Sequence, residues 1–263
     1  MSTELQPLDI TVSGKRVHVR TGGAGPALLL LHAAWGDAEM SWQRVWSDLS
    51  RSFTVIAPDM PGFGLSEALK QPTLHDSVVL LRDLLVERNA GPAIVVGNSF
   101  GAAVAIEFTA TFPEQTRSLV LVNGSSLPAI PGFLRKLVLL PALARRFRAL
   151  MRNMTYSDKA FARAFPDPAL LPPGFIDRIR RNEEQQARVV FETFINQRRQ
   201  QKRPQVRASI IWGTGDRLVP AKQAERLRHW LGAEAIIPIH GAGHMPQVER
   251  PEAFAEALRQ AAK

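Results

Sequence analysis

The stretch at residues 95–101, VVGNSFG, joins an apolar segment to an alanine-rich one. Residues 94–96 are β-branched and apolar on both faces, which predicts a buried parallel strand, and the alanine-rich residues after Gly101 predict a helix. Ser99 stands at the junction, and a turn this tight closes only if Gly97 and Gly101 flank it. The turn would lift the Ser99 hydroxyl clear of the sheet and aim the amide of Phe100 at the same space. The stretch therefore predicts a nucleophile beside one oxyanion donor, although a glycine-rich turn that happens to contain serine would show the same five residues.

Two residues in the last third of the chain could activate this serine. A serine hydroxyl is a poor nucleophile at neutral pH, so it needs a general base and an acid that orients the base. Asp216 follows a predicted strand at 208–212, and His244 lies in a glycine-rich loop after a predicted strand at 235–239. Because parallel strands end at one edge of a sheet, we expect Ser99, Asp216 and His244 to converge there.

Five stretches along the chain resemble the α/β-hydrolase family, in the order that the family has them. They are residues 28–32 (LLLLH), 58–66 (PDMPGFGLS), 97–101 (GNSFG), 212–216 (WGTGD) and 243–251 (GHMPQVERP). The order Ser, Asp, His is also that of the family's triad. The resemblance implies an α/β fold with a mostly parallel eight-stranded sheet and helices on both faces. It also implies a core at 1–126 and 207–263, with a helical cap inserted at 127–206.

The resemblance further implies an oxyanion hole formed by the amides of Ala34 and Phe100. The family's loop usually begins His-Gly, whereas Ala33 follows His32 in this chain, which narrows the allowed backbone angles. His32 is interpreted as a hydrogen-bonding residue that shapes the loop. Some relatives carry the triad acid after the strand that here ends at Asn123, but no carboxylate follows that strand.

Five residues are candidates for contact with the substrate. Trp35 could line an acyl pocket or simply pack, and Met245 stands where carbon-carbon hydrolases of the family commonly have an aromatic residue. Arg178, Arg180 and Arg181 resemble the carboxylate-binding arginine of those enzymes, because they lie in the predicted cap.

Composition limits the classes of protein to consider. The 263 residues include no cysteine, which excludes disulfides and thiolate chemistry and is compatible with a reducing compartment. The start of the chain lacks a charged-then-apolar signal sequence, and no apolar run reaches the roughly 20 residues that cross a bilayer. We expect a cytoplasmic protein without membrane insertion, as a monomer or a homo-oligomer. No metal or organic cofactor is expected.

The net charge of +9 is concentrated in the predicted cap. Residues 127–206 carry 16 Lys and Arg against 6 Asp and Glu, whereas the rest of the chain carries 17 against 18. A local surplus could attract an anionic small-molecule substrate. No nucleic-acid-binding motif accompanies it, so nucleic acid is not an expected partner. An amphipathic basic helix around Phe147 and Met154 could touch a membrane, but packing of a cap helix on the core accounts for the same pattern.

These observations favour a serine hydrolase acting on a small to medium carboxylic ester. Serine at the turn argues against haloalkane dehalogenases and epoxide hydrolases of this fold, which use aspartate there. Two alternatives stay open. Asn98 before Ser99 resembles the turn of the meta-cleavage-product hydrolases, which cleave carbon-carbon bonds, and some signalling members of the fold are ligand receptors with slow turnover.

Overall fold

The computed structural model describes residues 5–138 and 140–263, which form one mixed sheet flanked by helices on both faces. Residues 1–4, part of the start that was interpreted as lacking a signal sequence, lie outside the described residues. Within the described ranges the sheet has eight strands in the spatial order β1-β2-β4-β3-β5-β6-β7-β8. The strands are β1 (Gln6–Val12), β2 (Lys15–Gly22), β3 (Ala27–Leu31), β4 (Thr54–Pro58), β5 (Ala93–Asn98), β6 (Thr116–Val122), β7 (Ala208–Gly213) and β8 (Ile236–Ile239).

Among these eight strands, β2 pairs antiparallel with both β1 and β4. The other five neighbouring pairs, from β4 through β3, β5, β6 and β7 to β8, are parallel. The predicted fold class is therefore confirmed. The α-helices of the described residues are α1 (Ala38–Trp42), α2 (Trp46–Leu49), α3 (Leu74–Glu87), α4 (Phe100–Thr111), α5 (Gly132–Val138), α6 (Pro141–Tyr156), α7 (Asp158–Ala164), α8 (Phe175–Arg181), α9 (Glu183–Asn196), α10 (Ala221–Leu231), α11 (Pro246–Glu249) and α12 (Pro251–Ala261).

The leucine run in β3 explains why the central strands are apolar on both faces. Leu29 and Leu31 pack into the core beneath α3, α4 and α10, whereas Leu28 and Leu30 face the opposite core beside α12. Side chains alternate between the two faces of a strand, and both faces of this sheet are covered by helices. The strand that leads to Ser99 is held in the middle of this arrangement.

The structure differs from the sequence prediction at several helices. The sequence pattern predicts one helix at 41–50. In the structure the helical region begins earlier, at Ala38, because the Asp37 side chain caps the amide of Met40 at 2.7 Å, and a 3₁₀ turn separates α1 from α2. The short helices α5, α7 and α11 were not predicted, because a helix of four to seven residues has only one or two turns, too few for a periodic pattern to stand out.

The segment between β6 and β7 is helical, and its longest helix, α6, packs against α9. Phe147 of α6 lies against Phe191 and Phe194 of α9, with ring centroids 6.0 and 6.4 Å apart. We call residues 127–206 the helical segment, and its division from the core as a separate cap stays a prediction. Within the part of the chain that the structure describes, no helix is long and apolar enough to cross a bilayer.

Candidate active site

Ser99 occupies the tight turn between β5 and α4. Its φ of 54° is in the left-handed region, where non-glycine residues are uncommon. A Cβ atom added to Gly97 would lie 2.2 Å from the carbonyl oxygen of Gly101, and one added to Gly101 would lie 2.3 Å from that of Leu31. Only glycine fits at both positions, so the start of α4 can approach β5 and β3 and hold Ser99 at the sheet edge.

A continuous chain of hydrogen bonds joins the three residues that the sequence predicts to converge. The Ser99 Oγ atom lies 2.8 Å from Nε2 of His244, and Nδ1 of His244 lies 2.8 Å from Oδ2 of Asp216. The His244 and Asp216 side chains are almost completely buried. A carboxylate only accepts hydrogen bonds, so Nδ1 carries the imidazole proton and Nε2 can accept the serine proton.

Backbone amides and an asparagine fix the carboxylate of Asp216. Its Oδ1 accepts hydrogen bonds from the amides of Leu218 and Val219, at 2.8 and 3.0 Å. Its Oδ2 accepts from Nδ2 of Asn123 at 2.8 Å as well as from the imidazole. The loop that follows β7 therefore orients this side chain before any substrate binds.

Asn123 supports Asp216 in a role that was not predicted from the sequence. Its buried side chain joins two strand ends, because Oδ1 accepts from the amide of Gly213 at 2.8 Å while Nδ2 donates to Asp216. Its φ of 42° turns the chain sharply after β6. A polar residue directly after the apolar run at 119–122, next to the strand that carries the acid, is the signal that could have identified it.

Glu249 holds the backbone on both sides of His244. Its carboxylate accepts hydrogen bonds from the amides of Gly243 and Met245, at 2.8 and 3.0 Å. Burial raises the pKa of Glu249 to about 6, although these two hydrogen bonds oppose the change. Glu249 is a positioning residue that lies in the family-like stretch at 243–251, where the sequence alone gives no role for its side chain.

Two further contacts fix the backbone of His244 itself. Its amide donates to the carbonyl oxygen of Ala164, in the helical segment, at 2.8 Å, and its carbonyl oxygen accepts from Nδ2 of Asn98 at 3.1 Å. Asn98 Nδ2 also donates to the carbonyl oxygen of Val122, and Asn98 Oδ1 accepts from Nε2 of Gln247. Asn98 is thus fully used in holding the site together.

The roles of Phe100 and Ala34 as oxyanion donors stay a prediction. Phe100 is the first residue of α4, and Ala34 lies in the loop after β3. The hydroxyl of Tyr156 donates to the carbonyl oxygen of Ala34 at 3.1 Å, and burial raises the pKa of this phenol. The last residue of α6 therefore helps to fix the loop after β3.

His32 shapes the same loop, as the sequence analysis proposed. Its Nε2 accepts from the amide of Met60 at 2.9 Å, so Nδ1 carries the proton and donates to the carbonyl oxygen of Ala33 at 2.7 Å. Burial lowers the pKa of His32, which keeps the ring neutral in this role.

Trp35 and Met245 are buried beside the histidine. The Trp35 ring meets the imidazole of His244 edge-on with centroids 5.3 Å apart, and Phe161 and Phe165 lie against its other sides. Met245 is completely buried in the same apolar cluster. The Trp35 ring therefore covers part of the imidazole, and contact of Trp35 or Met245 with an acyl group stays a prediction.

The three candidate arginines lie at the surface of the helical segment. Arg178 is 4.0 Å from Glu39, and Arg180 pairs with Asp158. Arg181 is exposed beside a surface cleft of about 510 Å³ between α9 and the loop after β4. The contacts of the described residues bring none of the three to Ser99, so their role in substrate binding stays a prediction.

Metal-ligating side chains do not cluster in the region that the structure describes. Among residues 5–138 and 140–263, no group of three His, Asp or Glu side chains is arranged to hold a metal ion.

Comparisons with known proteins show similarity over most of the chain. The profile described as "Alpha/beta hydrolase family" matches residues 28–257. A 2-hydroxymuconate semialdehyde hydrolase from Pseudomonas sp. (strain CF600) is 26% identical over 286 residues, covering 95% of this chain and 91% of that protein.

Two solved structures have the same fold at low sequence identity. A thermophilic esterase from Thermogutta terrifontis has a TM-score of 0.77 and is 20% identical, with 97% of both chains covered. A 2-hydroxy-6-oxo-6-phenylhexa-2,4-dienoate hydrolase from Rhodococcus sp. strain RHA1 has a TM-score of 0.73 and is 22% identical, with 98% of both chains covered.

The raised pKa of Glu249 predicts a defined pH dependence of stability. Between its ordinary pKa of 4.5 and about 6, the folded protein binds more protons at Glu249 than the unfolded chain does. The contribution of this residue to the free energy of unfolding therefore falls by about 2 kcal/mol as the pH rises through that window. Denaturant titrations of the wild type and Glu249→Gln at pH 4 and pH 7 measure the difference.

The variant Glu256→Gln is the matched control, because Glu256 is an exposed residue in the middle of α12, away from the helix N-terminus. The stability difference between the wild type and Glu256→Gln should change much less over the same pH range. An equally small change in the difference for Glu249→Gln would contradict the raised pKa.

Proposed function

Since the chain belongs to the alpha/beta hydrolase family, we propose that it is a serine-dependent hydrolase of a small to medium carboxylic ester. The observation that carries this proposal is the hydrogen-bonded series of Ser99, His244 and Asp216 at a strained turn. Strain at such a position is stable only where the surrounding structure enforces it, and it is concentrated at functional sites.

In the proposed acylation step, the Ser99 oxygen attacks the ester carbonyl carbon while Nε2 of His244 takes the serine proton. The carbonyl oxygen becomes an oxyanion, which the amides of Phe100 and Ala34 would stabilise. When the tetrahedral intermediate collapses, His244 gives its proton to the leaving alcohol and an acyl-serine remains. Asp216 stays ionised and stabilises the imidazolium that forms.

In the deacylation step, water replaces the alcohol and attacks the acyl carbon. Nε2 of His244 takes a proton from this water, and the second tetrahedral intermediate collapses to release the carboxylic acid. The proton returns to Ser99, which restores the starting state. Nδ1 keeps its proton throughout, so the contacts that orient Asp216 serve both steps.

Carbon-carbon bond hydrolysis is the second candidate, favoured by the similarity to the Pseudomonas hydrolase. Asn98 was one reason to consider it, but its side chain is fully used in hydrogen bonds to the backbone and to Gln247. Arg178 and Arg180 are paired with carboxylates at the surface. Neither feature therefore favours a carboxylate-bearing diketone, and esters remain the first choice.

Binding without efficient turnover is the alternative of another class. A ligand receptor could keep the same three residues in place, so the turnover number decides between the two. A panel of aryl esters, alkyl esters, lactones and vinylogous diketo acids, assayed with the wild type, separates the two reactions and the receptor. Rapid turnover of one ester class is the expected result.

The variant Ser99→Ala should fold normally and lose about six orders of magnitude in kcat, because no other group replaces the nucleophile. A fluorophosphonate probe should label the wild type at Ser99, as peptide mass spectrometry would show. Ser126→Ala, at a half-buried serine of the loop after β6, is the control and should keep its activity and labelling. Labelling of Ser99→Ala would refute the assignment.

The variant Asp216→Asn should lower kcat by about 10⁴-fold with little change in fold. The amides of Leu218 and Val219 bond to Oδ1, so the amide oxygen of the new side chain must occupy that position. Its NH₂ group then faces Nδ1 of His244 and forces the proton onto Nε2, where it blocks proton transfer from Ser99.

Asp177→Asn, at an exposed residue of α8, is the matched control for Asp216→Asn and should leave kcat unchanged. Full activity in Asp216→Asn at every pH would show that another group orients the base.

A further inference from the structure

The surface of α5 and α6 exposes an unusual number of apolar side chains. Among the described residues, eight large hydrophobic side chains are exposed, and six of them lie between residues 133 and 154. We call these six the apolar patch: Phe133, Leu137, Leu140, Leu143, Leu150 and Met154. Phe133 is 77% exposed and Met154 is 66% exposed. Such a concentration of exposed apolar groups marks an interaction surface.

The patch is a regular feature of the helices rather than a result of loose packing. Leu143, Leu150 and Met154 are spaced i, i+7 and i+11, which aligns them in one row about 16 Å long on α6. The neighbouring row, with Phe147 and Met151, packs against the cluster around α9. The helix thus has two apolar faces, and only one of them is covered within the described residues.

The charges around the patch indicate which partner would cover it. Residues 132–156 contain six Lys and Arg and no Asp or Glu. In a twofold dimer the same patch of each copy would face the other, so these cations would repel one another. An apolar row bordered by cations instead matches a bilayer interface with anionic headgroups.

We propose that the apolar patch adsorbs to the surface of an anionic lipid membrane, with α5 and α6 lying in the interface. The apolar side chains would enter the acyl boundary, while Lys136 and Arg146 would contact lipid phosphates. This is peripheral binding, and it differs from a membrane span. It revises the expectation that packing alone accounts for the amphipathic pattern of α6.

Vesicle binding tests the proposal without any assumption about catalysis. The full chain should float with vesicles of phosphatidylcholine mixed with phosphatidylglycerol, and should bind much less to phosphatidylcholine alone. Each cation near an anionic surface changes the partition coefficient by about fivefold, so Lys136→Gln combined with Arg146→Gln should weaken binding about 25-fold. Added salt should reduce this contribution.

Apolar contact is tested by Leu150→Ser and Met154→Ser, each of which should weaken partitioning about tenfold. The matched control is Val86→Ser, because Val86 is 55% exposed on α3, away from the patch. This control should bind vesicles as the wild type does. Thermal unfolding of each variant shows whether the exposed substitutions leave the fold intact.

Three results would overturn the proposal. The wild type could fail to bind the anionic vesicles, or the Leu150→Ser and Met154→Ser variants could bind them as well as the wild type does. Sedimentation could instead show a dimer that these two substitutions dissociate, in which case a second copy covers the patch.

Discussion

The close approach of α4 to the central strands is the constraint on which the site depends. Gly97 and Gly101 let the two backbones meet, and a Cβ atom on Gly124 would lie 2.7 Å from the carbonyl oxygen of Ser99. Three glycines, in β5, in α4 and in the loop after β6, therefore surround one serine. Because the packing of the whole sheet holds this arrangement, the left-handed backbone of Ser99 is stable despite its steric cost. The helices that cover both faces of the sheet therefore help to hold the backbone of Ser99 in place.

Four polar side chains buried around His244 have hydrogen-bond partners on other elements. The carboxylates of Asp216 and Glu249 accept from backbone amides, and Asn123 and Asn98 link strand ends to these loops. An unpaired buried polar group is costly, so each of these hydrogen bonds also restricts where the chain can go. The imidazole therefore reaches both Ser99 and Asp216 because its backbone is fixed, and the same contacts account for the stability of a polar site within an apolar core.

Sequence patterns predicted the strands and the tight turn that carries Ser99, but they did not identify the residues that support the site. The strands and the tight turn at Ser99 are local features with a period or a composition that identifies them. The backbone partner of Asn123 lies 90 positions away, so its sequence neighbours do not reveal that contact. The Glu249 carboxylate turns back to the amides four and six residues before it, in a loop that has no periodic pattern to read. The positions of Arg178 and Arg180 could not be predicted either, because their partners Glu39 and Asp158 lie on other helices.

The helical segment meets two requirements that lead to different surfaces. Ala164 and Tyr156 bond to the loops of His244 and Ala34, so the segment contributes directly to the geometry at Ser99. Helix α6 carries three residues of the apolar patch and ends at Tyr156. One helix therefore joins that surface to the predicted oxyanion loop. Contacts at the outer face of α6 would therefore act on a helix whose end is fixed at the site, and the two requirements explain why this helix is apolar over more of its circumference than packing alone demands.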